Sequence, residues 1–218
     1  MKTIQAHNSN ITGSYSFTPT EKNINIIHND RKGDWIQTSS GIRFYPLDPR
    51  IEEINITDIA WALAHQCRFS GHCSEFYSVA QHSLFVASLC DNNVDDQKAA
   101  LLHDASEAYL VDIPRPLKEL QEFSAYRTIE TQLQRMIFRR FGIDPDTVNW
   151  NVIKVYDDAA LHTEGAWLMP DVKSWGTYGP EKVLKRFSQY TMGCMEAHEI
   201  FIKKFRELFG GKYDTQDQ

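Results

Sequence analysis

The spacing of apolar residues changes near residue 55. Residues 1–34 are polar and rich in Asn, Thr and Ser. Without an apolar period they predict a surface arm that carries no chemistry. Trp35-Ile36-Gln37-Thr38 and Ile42-Arg43-Phe44-Tyr45 flank Ser39-Ser40-Gly41, which reads as a short β-hairpin ended by Pro46. Beyond it the period becomes helical. Asn55 or Thr57 can cap a helix over residues 58–67, where Ile59, Ala62 and Leu63 recur at three- and four-residue spacing. Similar patterns predict helices over residues 78–90, 96–110, 125–141, 147–169 and 180–209, with Gly142 and Gly210-Gly211 as stops. The two prolines in residues 112–116 predict a loop. The fold class that follows is all-α, a helical bundle with a short N-terminal β-hairpin, in one domain over residues 35–218.

Within that bundle, His103-Asp104 lies in the run Ala99-Ala100-Leu101-Leu102-His103-Asp104-Ala105-Ser106-Glu107-Ala108. Neighbours on a helix point about 100° apart, yet one ion at the helix edge can take an imidazole and a carboxylate together, a mixed donor set that divalent cations favour. A histidine on an apolar helix also fits a packed core residue. Three features add to the ligand reading. His82 sits in another apolar helical segment. Asp157 and Asp158 sit in a third, where a carboxylate is costly unless paired or ligated. Glu107 shares the face of His103 and Asp104, so a carboxylate is at hand to move a proton beside the metal.

The order His82, His103-Asp104, Asp157 resembles the metal-ligand pattern of HD-domain metal-dependent phosphohydrolases. His103-Asp104-Ala105-Ser106-Glu107 followed by Asp112-Ile113-Pro114-Arg115-Pro116-Leu117-Lys118 is similar to their bacterial 5′-deoxynucleotidase-like branch. The resemblance covers residues 58–168, and the leader around Trp35 and Phe44-Tyr45-Pro46 is similar to uncharacterised bacterial and phage members. It implies the HD helical bundle, one divalent ion (Mn, Co, Mg, Fe or Zn) held by His82, His103, Asp104 and Asp157, and Glu107 assisting the attacking water. It also implies hydrolysis of the 5′-phosphate of (deoxy)ribonucleoside monophosphates by a homodimer. Arg68-Phe69 matches an Arg-aromatic pair ahead of the first ligand histidine, although the best-described branch has tryptophan where Phe69 stands. Asp112 matches a contact to the sugar hydroxyl. Arg68 and Lys118 would meet the phosphate, since guanidinium binds its oxygens in bidentate fashion. Arg68 equally fits a helix C-terminal cation, and Asp112 a turn cap. Glu164, seven residues after Asp157, shares its face and can orient a ligand. His65, His72 and His162 raise the question of a second metal, and His198 reads as a surface or core residue of the last helix.

The net charge of −6 and the sequence pI near 5.7 argue against extended nucleic acid as a partner. The polar start has no signal-peptide core, and no segment is long and apolar enough for a membrane, so a cytoplasmic location is expected. Cys67, Cys73, Cys90 and Cys194 lack zinc-knuckle spacing and read as reduced thiols, with Cys67 and Cys73 able to approach across a turn. Phe201, Phe205 and Phe209 at four-residue spacing read as core. Four other functions stay open: dNTP triphosphohydrolase, cyclic-nucleotide phosphodiesterase, non-catalytic nucleotide sensor and structural zinc site. The last is disfavoured because structural zinc usually recruits cysteines.

Overall fold

The hairpin is short: β1 (Ile36–Gln37) pairs antiparallel with β2 (Arg43–Phe44), Ile36 opposite Phe44. A computed structural model describes residues 30–90, 93–175, 184 and 187–213. The turn needs Gly41, whose φ of 89° is comfortable only for glycine. Asp58 fixes that turn to the helices. Its buried carboxylate accepts hydrogen bonds from the Ser39 hydroxyl (2.6 Å), the Ser40 backbone N–H (2.7 Å) and the Ser40 hydroxyl (2.6 Å). Asp58→Ala should therefore lower stability by about 1–3 kcal/mol, measured by urea unfolding, with the helical circular dichroism retained. Phe44 stacks on Tyr109 at 4.0 Å and closes the other side.

Of the expected arm, residues 1–29 lie outside the described ones. Arg31, also within it, is anchored, with its guanidinium pairing with Asp48 at 2.8 Å and Glu53 at 2.5 Å and lying over the Tyr45 ring.

Eight helices are described: α1 (Ile56–His65), α2 (Val79–Leu89), α3 (Val94–Leu101), α4 (Glu107–Leu110), α5 (Arg115–Lys118), α6 (Ser124–Arg140), α7 (Trp150–Leu168) and α8 (Cys194–Phe209). Asn55 caps α1, Ser78 caps α2 and Asn149 caps α7, each side chain accepting from a backbone N–H of the first turn. α1 packs on α8, and α2 packs on α3. Their apolar faces meet in one core that includes Ile59, Leu63, Val86, Leu101, Leu133, Ile137, Phe138, Phe201 and Phe205. Phe201 and Phe205 are buried as core residues, and Phe209 stacks on Phe205 at 4.3 Å. No helix among the described residues is long and apolar enough to cross a membrane.

Two expected helices need correction. The helix expected over 96–110 is broken: α3 stops at Leu101, and residues 102–106 form tight turns before α4. Side chains compete for the carbonyls that a continuous helix would use. The His103 Nδ1 lies 2.7 Å from the Ala100 carbonyl oxygen, and the Gln134 amide donates to the Leu102 carbonyl at 2.7 Å. The helix expected from 180 begins only at Cys194. Residues 187–193 are non-helical, and residues 180–183 lie outside the described ones. The Tyr190 carbonyl and Met192 N–H instead bond the two ends of the Gln81 amide, at 2.6 and 2.9 Å. Pro116 sits inside α5, not in the expected loop, because the first helical turn tolerates proline.

Candidate metal centre

α2 contributes His82, the α3–α4 turn contributes His103 and Asp104, and α7 contributes Asp157. Donor atoms of His82, His103 and Asp104 lie within 4.8 Å of one another, so the three can hold a metal ion. The Asp157 Oδ1 lies 3.3 Å from the His82 Nε2 and 3.9 Å from the His103 Nε2, while its Oδ2 accepts from Lys154 at 2.9 Å. The Asp104 Oδ2 is 3.6 Å from His82 and 3.2 Å from His103. Asp158, the other candidate, instead approaches His162 at 3.7 Å.

Each imidazole is oriented from behind. The His82 Nδ1 lies 2.9 Å from the Glu164 Oε1, and the His103 Nδ1 bonds the Ala100 carbonyl. Donation through Nδ1–H leaves each neutral ring with its Nε2 lone pair facing the two aspartates, the arrangement metal-ligating histidines adopt. Both Nε2 atoms are buried and have no hydrogen-bond partner, so the residues fit a cation between them.

The electrostatics agree. Burial and the Arg68 charge push His82 down, but Glu164 and Asp157 outweigh them and hold it at about 9. Against burial, the two histidines hold the Asp104 carboxyl at about 2, and with Lys154 they hold Asp157 low. A field that favours a proton on these rings also favours a metal cation exchanged for it.

Glu164 is the centre's deepest support. It is wholly buried, accepts from the Tyr77 hydroxyl at 3.0 Å, and pairs with the Arg68 Nε at 3.1 Å. Burial raises its carboxyl, yet His82 and Arg68 bring it below the ordinary glutamate value. Arg68, expected to meet phosphate, is thus engaged by Glu164.

Glu107 opens α4. Only 6% of its surface is exposed, and its Oε2 has no hydrogen-bond partner. Burial, Asp104 and Asp112 push its carboxyl well above the usual range. It lines a cavity of about 340 Å³ with His103, Asp104, Lys118, Glu130, Thr131, Gln134, Arg135 and Trp150. Lys118 is therefore at the cavity, its ammonium 2.5 Å from Glu130. Arg68, Phe69 and Asp112 are not among the lining residues. Phe69 packs near Trp175, and Asp112 is exposed. Backbone strain borders the site, with φ of 53° at Phe69, 53° at Ser70 and 65° at Val111, a conformation costly for a β-branched residue.

His65 packs on Trp61, His72 is exposed, and His198 meets the Trp61 edge. Cys67, Cys73, Cys90 and Cys194 form no disulfide among the described residues, and the Cys67 and Cys73 sulfurs lie 3.4 Å apart.

Sequence reasoning missed Tyr77, Gln134 and Trp150. Gln134 clamps the ligand turn, donating to the Leu102 carbonyl and accepting from the Ser106 N–H at 3.0 Å. Its signal was a polar residue beside the buried Leu133, Ile137 and Phe138 on α6. Gln134→Leu leaves the buried Ser106 N–H unpaired and strips the Leu102 carbonyl of one of its two hydrogen bonds, the other coming from the Ala105 N–H. It should cost about 1–3 kcal/mol and weaken metal binding, read by thermal unfolding and metal titration.

No family model matches the sequence. The chain is 36% identical over 177 residues to the uncharacterized protein YfdR of Escherichia coli, spanning 80% of this chain and 95% of that protein. An uncharacterized protein of Rhodobacter capsulatus is 36% identical over 119 residues, 51% of this chain and 60% of the relative.

Proposed function

The chain belongs to the family of the Escherichia coli protein YfdR, and we propose that it is an HD-type, metal-dependent phosphohydrolase that removes the 5′-phosphate from nucleoside monophosphates. One observation carries this reading: two buried imidazoles, each tied through Nδ1, turn unpartnered Nε2 atoms toward Asp104 and Asp157 beside the buried acid Glu107.

His82, His103, Asp104 and Asp157 would hold one divalent ion. Such an ion lowers the pKa of water and polarises a phosphoryl oxygen. Glu107 then accepts the proton of the attacking water and returns it to the leaving 5′-oxygen, and its raised proton affinity suits that exchange. Glu164 and the Ala100 carbonyl keep the histidines aimed. Arg68 adds a fixed positive charge behind the site; burial works against its proton, but Glu164, Asp104, Asp157 and Glu107 outweigh that and hold the guanidinium ionised.

The cavity's cations favour monophosphates over triphosphates. Lys118 is paired with Glu130, and Arg135 is paired with Asp146 at 2.7 Å, so neither is left for a polyphosphate tail. The test is phosphate release from metal-stripped protein after readdition of Mn²⁺, Co²⁺, Mg²⁺, Fe²⁺ or Zn²⁺, with nucleoside monophosphates, triphosphates and cyclic nucleotides as substrates. Turnover of monophosphates supports the reading. Turnover of triphosphates or cyclic nucleotides alone overturns it.

A further inference from the structure

The cavity extends from the metal centre to an aromatic ring that the reaction itself does not use. Trp150 opens α7, and its indole lies on the buried Phe138 ring, with centroids 5.4 Å apart and planes 15° from parallel. That contact fixes the ring. Trp150 nevertheless stays 41% exposed and lines the same cavity as His103, Asp104 and Glu107. An exposed tryptophan held flat on a core ring is a preformed platform for a second flat ring.

Helix geometry supplies the spacing. Asp157 follows Trp150 by seven residues on α7, so the two share a face and stand about 10.5 Å apart along the axis. A pentose fits between a phosphoryl group held near Asp157 and a ring lying on Trp150. α6 contributes Glu130, Thr131, Gln134 and Arg135 to the same cavity. Gln134 spends its amide on the ligand turn, and Arg135 is engaged by Asp146. Glu130 is paired with Lys118, which leaves Thr131 as the polar α6 side chain at the cavity without a side-chain partner among the described residues.

We propose that this end of the cavity is a base subsite, in which Trp150 stacks on the purine or pyrimidine of a nucleotide whose phosphate lies at the metal centre. The inference rests on the phosphohydrolase reading for the placement of the phosphate. Stacking on a π-face tolerates any base, so Trp150 separates nucleotides from base-free sugar phosphates without choosing among bases.

The test compares the intact chain with Trp150→Phe and Trp150→Ala, all loaded with Mn²⁺. The substrates are 2′-deoxyadenosine 5′-monophosphate and 2-deoxyribose 5-phosphate, which share the sugar phosphate and differ by the base. The intact protein should prefer the nucleotide about tenfold or more in kcat/KM. Phe should keep most of that preference, and Ala should lose it through KM with kcat little changed. Equal preference in the intact protein and Trp150→Ala overturns the subsite. Calorimetric binding of the same nucleotide is measured in parallel. If nothing turns over but binding is kept by Phe and lost by Ala, the subsite stands and the hydrolase reading fails. If the nucleotide does not bind, or binds Trp150→Ala as tightly, the subsite falls.

Discussion

Glu107→Gln is expected to reduce kcat by about 10²–10⁴-fold while the protein stays folded and keeps its metal. The substitution preserves shape and removes only the ability to exchange a proton. Glu107 is buried, its Oε2 is unpartnered, and Asp104 and Asp112 repel its charge, so a neutral amide should not lower the thermal midpoint. Metal content per chain should equal that of the unaltered protein, because the grouped donors are His82, His103 and Asp104. Steady-state kinetics, elemental analysis and thermal unfolding on one preparation separate these effects. Retention of near-full turnover would remove Glu107 from the chemistry.

Glu164→Ala should be the most damaging change to stability, costing about 3–5 kcal/mol by chemical unfolding. One carboxylate serves three buried groups: the His82 Nδ1, the Tyr77 hydroxyl and the Arg68 guanidinium. Deleting it strands a cation whose side chain is 11% exposed. The pH dependence has a definite sign. His82 and Arg68 outweigh burial and hold Glu164 below its ordinary value of 4.5, so its contribution is complete above that value and is lost as the pH falls through the lowered one. The difference between Glu164→Ala and the unaltered protein should narrow over that acid range. Glu164→Gln keeps part of the hydrogen bonding but not the charge, and should weaken metal binding about 10–100-fold. A Glu164→Ala protein within 1 kcal/mol of the original would show that the Arg68 pair is not a structural requirement.

The centre was legible where local pattern carries it. His82, His103 and Asp104 each stand out as polar interruptions of apolar helical runs, and these three cluster with Asp157 beside them. What the pattern could not show depends on partners distant in sequence. Apolar spacing runs unbroken from Ala99 to Leu110, but Gln134 on α6 captures the Leu102 carbonyl and turns the chain at the ligands. Arg68 is recognisable as a cation near the site, yet its engagement by Glu164 exists only after α7 packs on α2. Trp150 reads as one more apolar helix position until the fold stacks it on Phe138 and sets it in the cavity lining. The late start of α8 has the same origin, since Gln81 supplies the hydrogen bonds that residues 190–192 would otherwise seek in a helix.

The most direct test of the account is a titration of Mn²⁺ into metal-stripped protein, following phosphate release from 2′-deoxyadenosine 5′-monophosphate beside the His103→Ala variant. The account predicts activity that rises to a break at one ion per chain and is absent from the variant at any ion concentration that saturates the original. Phosphate release that needs no metal, or that survives intact in His103→Ala, would contradict it.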